Sequence, residues 1–201
     1  MARISVASAA ILTLMSFWMV NYLAPPEMPV LLVVVGASGA GKTTLVSMLA
    51  ALGLPGVGCY YYDTIGIPAE DDDRFADGAA FQAWALDVWV ARLARNEDRV
   101  RVAVLDASVR PTAVRDAMAR HGVLHGDVVL VDCGYVERNA RLRGPRGQPE
   151  LATPQMDCWA AYLRGQADAL GLAILDTSAI SPDEGVYFLR QRIATILEAS
   201  A

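Results

Sequence analysis

The chain has 201 residues, 54% of them hydrophobic, and a formal net charge of −5. This length and composition suit one compact domain with a sizeable core, and the acidic balance argues against duplex nucleic acid as a partner. The three cysteines lie far apart and show no metal-ligand spacing. They indicate small buried thiols in a reducing compartment, so we expect a cytoplasmic protein.

An uncharged and mostly apolar stretch, residues 4–24, comes first in the chain. A helix of this length could just span a hydrocarbon core of roughly 30 Å. Three interpretations stay open: a membrane anchor, a secretory signal, or a natural start at Met28, directly before the first strand. We therefore divide the chain into a hydrophobic segment, residues 1–27, and one domain, residues 28–201, with membrane attachment expected only if the stretch is a real anchor.

The first apolar run of the domain, residues 30–35, contains four valines and is typical of a strand buried on both faces of a parallel sheet. Similar runs follow at residues 57–62, 100–105, 127–131 and 172–175, and helical patterns occupy residues 43–52, 74–95, 112–120, 135–143, 154–170 and 182–198. This alternation predicts a three-layer α/β/α domain with a five-stranded parallel sheet. Right-handed crossovers place the carboxyl ends of all strands at one edge, where ligands bind.

A glycine-rich turn, Gly-Ala-Ser-Gly-Ala-Gly-Lys-Thr, joins the first strand to the first helix and fits the Walker A pattern Gly-x4-Gly-Lys-Ser/Thr. Its backbone N–H groups form a nest for phosphate oxygens, and the following helix adds the positive end of its dipole. Of the 17 basic residues only Lys42 is a lysine, because this nest needs a compact charge on a thin stem and not a planar guanidinium. We predict that a nucleoside triphosphate is bound by Gly36, Ser38, Gly39, Ala40, Gly41, Lys42, Thr43 and Thr44.

Two features disfavour a guanine-specific GTPase. Such proteins usually read the base with an Asn-Lys-x-Asp segment, and the single lysine already lies in the glycine-rich turn. Asp63 and Gly66 match the switch pattern Asp-x-x-Gly, but they follow Lys42 too closely to leave room for the intervening switch and strand of a Ras-like fold.

A carboxylate and a cluster of arginines complete the candidate residues. Asp106 ends the third strand at the ligand edge, where it could bind Mg²⁺ beside Thr43 or form local capping hydrogen bonds. Arg138 and Arg141 lie three residues apart on one predicted helical face, followed by two more arginines in a segment with Gly and Pro. Because phosphoryl transfer needs planar, forked donors, the cluster predicts a closing lid in which Arg138 and Arg141 are favoured, the alternative being a solvated basic face.

Four stretches together resemble the P-loop small-molecule and nucleotide kinases, the group of adenylate kinase, shikimate kinase, gluconate kinase and chloramphenicol phosphotransferase with its AAA-type ATP-binding domain. They are GASGAGKTT, YYDTIG, VAVLDASVRP and ERNARLRGPRGQPELA, within residues 28–200. The resemblance implies the strand order 2-3-1-4-5 and an adenine-side loop at residues 174–178. It also implies that Asp63 faces the substrate hydroxyl, the alternative being a loop-capping carboxylate. Arg110 follows Asp106 by four residues and could reach a substrate group or be an ordinary surface arginine, and we group it with the cofactor-binding residues.

These observations favour transfer of the γ-phosphoryl group of ATP·Mg²⁺ to a hydroxyl of a small molecule, with Lys42, Asp63, Arg138 and Arg141 as catalytic residues and Thr43 and Asp106 as metal ligands. Four acidic residues at 70–73 would repel a phosphorylated acceptor and favour a neutral or cationic one. Two alternatives stay open: a nucleoside monophosphate kinase, and a non-kinase ATPase that acts as a nucleotide-switched binding module. The sequence does not identify the acceptor or the oligomeric state.

Overall fold

The computed structural model describes residues 28–66, 75 and 77–200. The apolar stretch 4–24 and the acidic residues 70–73 lie outside these ranges, so the division of the chain at residue 28 stays a prediction. Within the described ranges, no helix combines the length and the apolar character needed to cross a membrane.

The sheet has five parallel strands in the order β2-β3-β1-β4-β5, which confirms the predicted order. Their bounds are Val30–Val35 for β1, Val57–Tyr61 for β2, Val102–Ala107 for β3, Gly126–Asp132 for β4 and Ala173–Asp176 for β5. The central strand β1 pairs with β3 on one side and with β4 on the other. All six of its residues are buried, as the continuous apolar run predicts.

Within the described ranges, six α-helices and two 3₁₀ turns accompany the strands. The α-helices are α1 Lys42–Ala51, α2 Gly78–Ala94, α3 Pro111–Arg120, α4 Tyr135–Arg143, α5 Pro154–Leu170 and α6 Pro182–Ala199, and the 3₁₀ turns are Tyr62–Ile65 and Pro149–Leu151. α2 begins later than the predicted residue 74. Asp77 has an extended backbone and its side chain accepts a 2.8 Å hydrogen bond from the N–H of Ala80, so it caps the helix there.

The core consists of two apolar layers, one on each face of the sheet. Along β1, Leu31, Val33 and Val35 join the layer under α2, α3 and α5, whereas the alternate residues Leu32 and Val34 join the layer under α1 and α6. This alternation is the two-residue period of a strand. The two faces are thereby closed by helices, and the carboxyl edge of the sheet is left for polar residues.

Candidate active site

The glycine-rich turn lies at the carboxyl end of β1, and we call residues 36–43 the phosphate loop. Gly41 precedes α1 with a φ of 102°, a left-handed conformation that favours glycine. From there the chain enters α1 directly, since the N–H of Leu45 donates to the carbonyl of Gly41 at 3.1 Å. The loop therefore presents the start of a helix, whose first N–H groups have no helical partner and suit an anion.

Lys42 lies inside this loop. Its side chain is buried, and its Nζ donates to the carbonyl of Ala37 at 3.2 Å. Burial lowers the pKa of Lys42, while the negative charges of Asp106 and Asp63 act in the opposite direction. A buried ammonium is costly without a compensating anion. The placement therefore fits a residue that neutralises a phosphate group within the loop.

Thr43 and Asp106 are brought together as predicted, with Thr43 Oγ1 donating to Asp106 Oδ2 at 2.6 Å. The reason is the strand register, which sets Asp106 of β3 beside Val34 of β1, just before the phosphate loop. Burial raises the pKa of Asp106, and the charge of Lys42 and the hydrogen bond from Thr43 oppose that rise. A hydroxyl and one carboxylate fit Mg²⁺, which typically combines one or two carboxylates with water and substrate phosphates. Among the residues described, no three His, Cys, Asp or Glu side chains form a metal cluster.

Asp63 follows β2 in the 3₁₀ turn and is exposed at the same edge. It follows Tyr61, which pairs with Asp106 of β3, so it lies at the same carboxyl edge of the sheet, and its negative charge raises the pKa of both Lys42 and Asp106. Two hydrogen bonds fix this turn to α2. The Tyr62 hydroxyl donates to the carbonyl of Gln82 at 3.0 Å, and Trp89 Nε1 donates to the carbonyl of Tyr62 at 3.0 Å. Asp63 is thus an exposed carboxylate on an anchored turn.

Arg110 lies at the end of the loop after β3, where it precedes the first turn of α3 with an extended backbone. The side chain is half-buried. Among the described residues, no side-chain hydrogen bond or ion pair joins Arg110 to the phosphate loop, so its role as a ligand-contacting residue stays a prediction.

Arg141 lies against the end of the phosphate loop. Its Nη1 donates to Thr177 Oγ1 at 2.9 Å, its Nη2 to the carbonyl of Thr177 at 2.8 Å, and its Nε to Glu137 Oε1 at 3.0 Å. A Cβ added to Gly41 would stand 3.7 Å from Arg141 Nη1. This position suits the predicted arginine of a nucleotide site.

Thr177, at the end of β5, is a buried hydroxyl that sequence reasoning did not single out. Besides accepting from Arg141, its Oγ1 lies 2.8 Å from the carbonyl of Ala40 and 3.1 Å from that of Asp132, and can donate to either. It therefore links the phosphate loop, Arg141 and β4. The signal in the sequence was a hydroxyl residue directly after the fifth strand, inside the stretch assigned to the adenine-side loop.

Arg138 is placed differently from the lid position expected for it. It is buried, and its guanidinium contacts the carbonyl of Cys133 at 3.2 Å and the carboxylate of Asp157 on α5. Residues three apart on an α-helix differ by about 60° in direction, given 3.6 residues per turn. That angle separates Arg138, which faces the interior between α4 and α5, from Arg141 at the rim.

Arg146 lies in the segment after α4, within the arginine cluster that the sequence predicts to form a lid. It is exposed and donates to Gln148. Its positive charge lowers the pKa of both Lys42 and Asp106, so it acts on the phosphate site. The arginine cluster itself indicated this residue, but helical spacing favoured Arg138 and Arg141 over it.

A cavity of about 270 Å³ opens beside the phosphate loop, between α1, α4 with the segment that follows it, and the loop after β5. It is lined by Gly41, Thr44, Leu45, Arg141, Pro145, Thr177, Ile180, Ser181 and Pro182. Two of these, Gly41 and Thr44, are predicted nucleotide-binding residues. Apolar walls with a guanidinium at one side suit a flat aromatic ring.

The fold is shared with solved structures of kinases and of a resistance protein. Shikimate kinase from Acinetobacter baumannii superposes with a TM-score of 0.55 and 18% identity, over 84% of this chain and 95% of that chain. A sugar kinase from Janibacter gives 0.51 and 21%, over 85% and 95%. The tunicamycin resistance protein of Deinococcus radiodurans gives 0.58 and 17%, over 82% and 95%.

No family model matches the chain. The structural similarity nevertheless confirms, at the level of the fold, the predicted resemblance to the P-loop kinase group. At these sequence identities it is the fold that is shared, and the chemistry has to be argued from the residues of this chain.

Proposed function

We propose that the protein is an ATP·Mg²⁺-dependent phosphotransferase that acts on a hydroxyl group of a small molecule. The observation that carries this proposal is the 2.6 Å contact between Thr43 Oγ1 and Asp106 Oδ2 beside the buried Lys42. It combines a cation site with a phosphate nest at one edge of the sheet. The exposed Asp63 stands close enough to act electrostatically on both Lys42 and Asp106, and supplies a carboxylate for the acceptor.

The donor nucleotide would occupy the phosphate loop and the adjoining cavity. N–H groups of the loop and of the first turn of α1 would bind the phosphates, with Lys42 as the compact charge. Thr43 and Asp106 would hold Mg²⁺, which supplies charge neutralisation for the phosphate oxygens when bound. The base would lie in the cavity between Arg141 and Ile180.

The transfer step forms a bond between the acceptor oxygen and the γ-phosphorus and breaks the bond from that phosphorus to the β,γ-bridging oxygen. Asp63 accepts the proton of the acceptor hydroxyl on a carboxylate oxygen, and ADP leaves with the bridging oxygen. Arg146, whose charge acts on both Lys42 and Asp106, would provide a guanidinium donor where negative charge spreads over the transferred group.

The test is an acceptor screen with the full chain, in which ADP release is followed over sugars, sugar acids, amino alcohols, nucleosides, nucleoside monophosphates and hydroxyl-bearing antibiotics. We expect ADP release that depends on one class of acceptor and appears together with a phosphorylated product. The Lys42→Arg variant is the negative control, because it removes the loop's function and keeps the charge.

Two results would contradict the proposal. A monophosphate acceptor that outcompetes all neutral ones would favour the nucleoside monophosphate kinase. An ATPase activity that no small acceptor stimulates would favour the nucleotide-switched binding module.

A further inference from the structure

Behind the phosphate loop, the buried Arg138 forms an ion pair with the half-buried Asp157, and the proposed reaction does not use this pair. The side chain of Arg138 is 4% exposed and that of Asp157 is 28% exposed. Asn139 adds a second contact to the same carboxylate, from Nδ2 to Asp157 Oδ1 at 3.3 Å. Burying a charged group costs free energy unless its partners compensate for the lost water. This cost points to a role of the pair beyond stability.

The aliphatic part of the Arg138 side chain, which we call its stem, contacts the phosphate loop at Gly39. A Cβ added to Gly39 would stand 2.9 Å from Arg138 Cγ, 2.9 Å from Leu142 Cγ and 3.1 Å from the carbonyl oxygen of Arg138. Gly39 also has a φ of 83°, which favours glycine. The apex of the loop therefore rests directly on α4, with no room for one methyl group between them.

The guanidinium end is held from two sides. Arg138 Nη1 donates to the carbonyl of Cys133 at 3.2 Å, directly after β4, and Nη2 donates to Asp157 in the first turn of α5. The stem thus lies against the loop while the head is fixed to β4 and α5. The Arg138 side chain is thus fixed at its backbone in α4 and at its guanidinium, so the position of its stem against the loop is fixed as well.

We infer that Arg138 is a positioning residue, which the Asp157 carboxylate holds in place so that its stem sets the position of the phosphate loop at Gly39. This inference rests on the proposed function for its kinetic consequences. It replaces the expected contact between Arg138 and the transferred phosphate by an indirect effect through the loop. It also predicts that Asp157, which lies on α5 behind the loop, controls nucleotide affinity.

The first experiment measures ADP affinity by calorimetry well below the unfolding temperature, for the full-length wild type, Asp157→Asn and the control Asp168→Asn. Asp168 lies on the same helix, is exposed and pairs with Arg164 at 3.3 Å, so the control makes the same charge change. We expect roughly tenfold weaker ADP binding for Asp157→Asn, a coupling typical of residues in one contact network, and wild-type binding for Asp168→Asn. A merely structural pair would lower the melting temperature and leave ADP affinity unchanged, which would overturn the inference.

The second experiment tests whether the guanidinium acts on the transferred phosphoryl group or through the loop. Arg138→Met keeps most of the stem but removes its anchored head, so ADP binding should weaken by about tenfold, as for Asp157→Asn. The double variant Arg138→Met with Asp157→Asn should bind ADP within about threefold of either single variant, because all three lack the same anchor. A lowered transfer rate with wild-type ADP affinity for Arg138→Met would overturn the inference, because the guanidinium would then act on the transferred group and not on the loop.

The outcomes also separate this inference from the proposed function. If wild-type protein binds ADP and transfers phosphate but both Arg138 tests fail, only the positioning role is lost. If wild-type protein binds no adenine nucleotide, the proposed function itself fails. Should the double variant not fold, the ADP affinity of Asp157→Asn decides alone.

Discussion

The two sides of the phosphate loop are built in opposite ways. On the side proposed for the nucleotide, Arg141 and Thr177 hydrogen-bond to each other, and Thr177 lies within hydrogen-bond distance of the Ala40 carbonyl. On the side proposed for the acceptor, Asp63 is exposed on the 3₁₀ turn after β2.

This difference assigns different tasks to the two sides. On the nucleotide side, Thr177 connects Arg141 to the phosphate loop by hydrogen bonds, and such contacts lower the ordering cost of binding a triphosphate. The acceptor side presents the Asp63 carboxylate on the anchored 3₁₀ turn, and its selectivity depends on which acceptor groups contact that carboxylate. Substitutions on the two sides should therefore separate nucleotide affinity from transfer rate, and the predictions that follow test that separation.

The largest effect should come from the acceptor side. We expect Asp63→Asn to lower phosphoryl transfer by roughly 10²–10⁴-fold, the usual range for a positioned general base, and to leave ATP affinity nearly unchanged. The measurement is calorimetric ATP binding beside the transfer rate at several Mg²⁺ concentrations. Asp116→Asn, an exposed carboxylate on α3, is the matched control.

Asp106→Asn should weaken the binding of ATP·Mg²⁺ and shift the Mg²⁺ dependence of the transfer rate. If Asp63→Asn instead abolishes ATP·Mg²⁺ binding and Asp106→Asn has no effect, the two carboxylates have exchanged roles. The claim that nucleotide affinity and transfer rate depend on different sides of the loop would then be wrong.

The next effect concerns Lys42 on the phosphate loop. Lys42→Arg should lower turnover by about 10²–10³-fold, comparable to the loss of one electrostatic donor in a preorganised site. The physical reason is that a planar guanidinium cannot reproduce the compact, buried ammonium that donates to the Ala37 carbonyl at 3.2 Å. Circular dichroism and thermal unfolding should show an intact fold, and wild-type turnover would contradict this account of the only lysine in the chain.

The fold could be predicted from the sequence because its signals are local. A run of six apolar residues at β1, a glycine-rich turn and a following helix are read without any knowledge of distant contacts, and the parallel order followed from the resemblance. Lys42, Thr43 and Asp106 were predicted for the same reason, since they lie at the ends of buried strands or in the loop itself.

The arginines could not be assigned in this way. Arg138 and Arg141 have the same spacing signal, and only the direction in which α4 packs separates a buried ion pair from a rim position. Thr177 reaches Ala40 across 137 positions of the chain, a contact that no short pattern contains. Arg146 belongs to the arginine cluster seen in the sequence, but only its charge on Lys42 and Asp106 connects it to the phosphate site.

A moderate effect is expected from Thr177 on the nucleotide side. Thr177→Val removes the hydroxyl and leaves buried partners unsatisfied, which costs about 1–3 kcal/mol of unfolding free energy. We expect a lower melting temperature, measured by calorimetry, and weaker ATP binding. Thr195→Val, whose exposed hydroxyl bonds Gln191 within α6, is the control and should leave both unchanged. An unchanged ATP affinity for Thr177→Val would show that the hydroxyl does not hold the nucleotide side in place.

The smallest effect should be the choice between purine bases. Strong selectivity requires polar groups in the site that one base satisfies and the other leaves unpaired. Among the described residues that line the cavity, the polar side chains of Arg141, Thr177 and Ser181 already hydrogen-bond within the protein. Thr44 adds one hydroxyl in the first turn of α1, and Leu45 and Ile180 add apolar surface. The base would therefore be held mainly by stacking and apolar contact, which tolerates any flat ring. We expect the ratio of kcat/KM for ATP and GTP, measured with the same acceptor at saturating Mg²⁺, to stay within about tenfold, that is about 1.4 kcal/mol. A preference for ATP above about a hundredfold would show that backbone groups of the loop after β5 read the edge of the base, and that the nucleotide side selects its ligand as well as holding it.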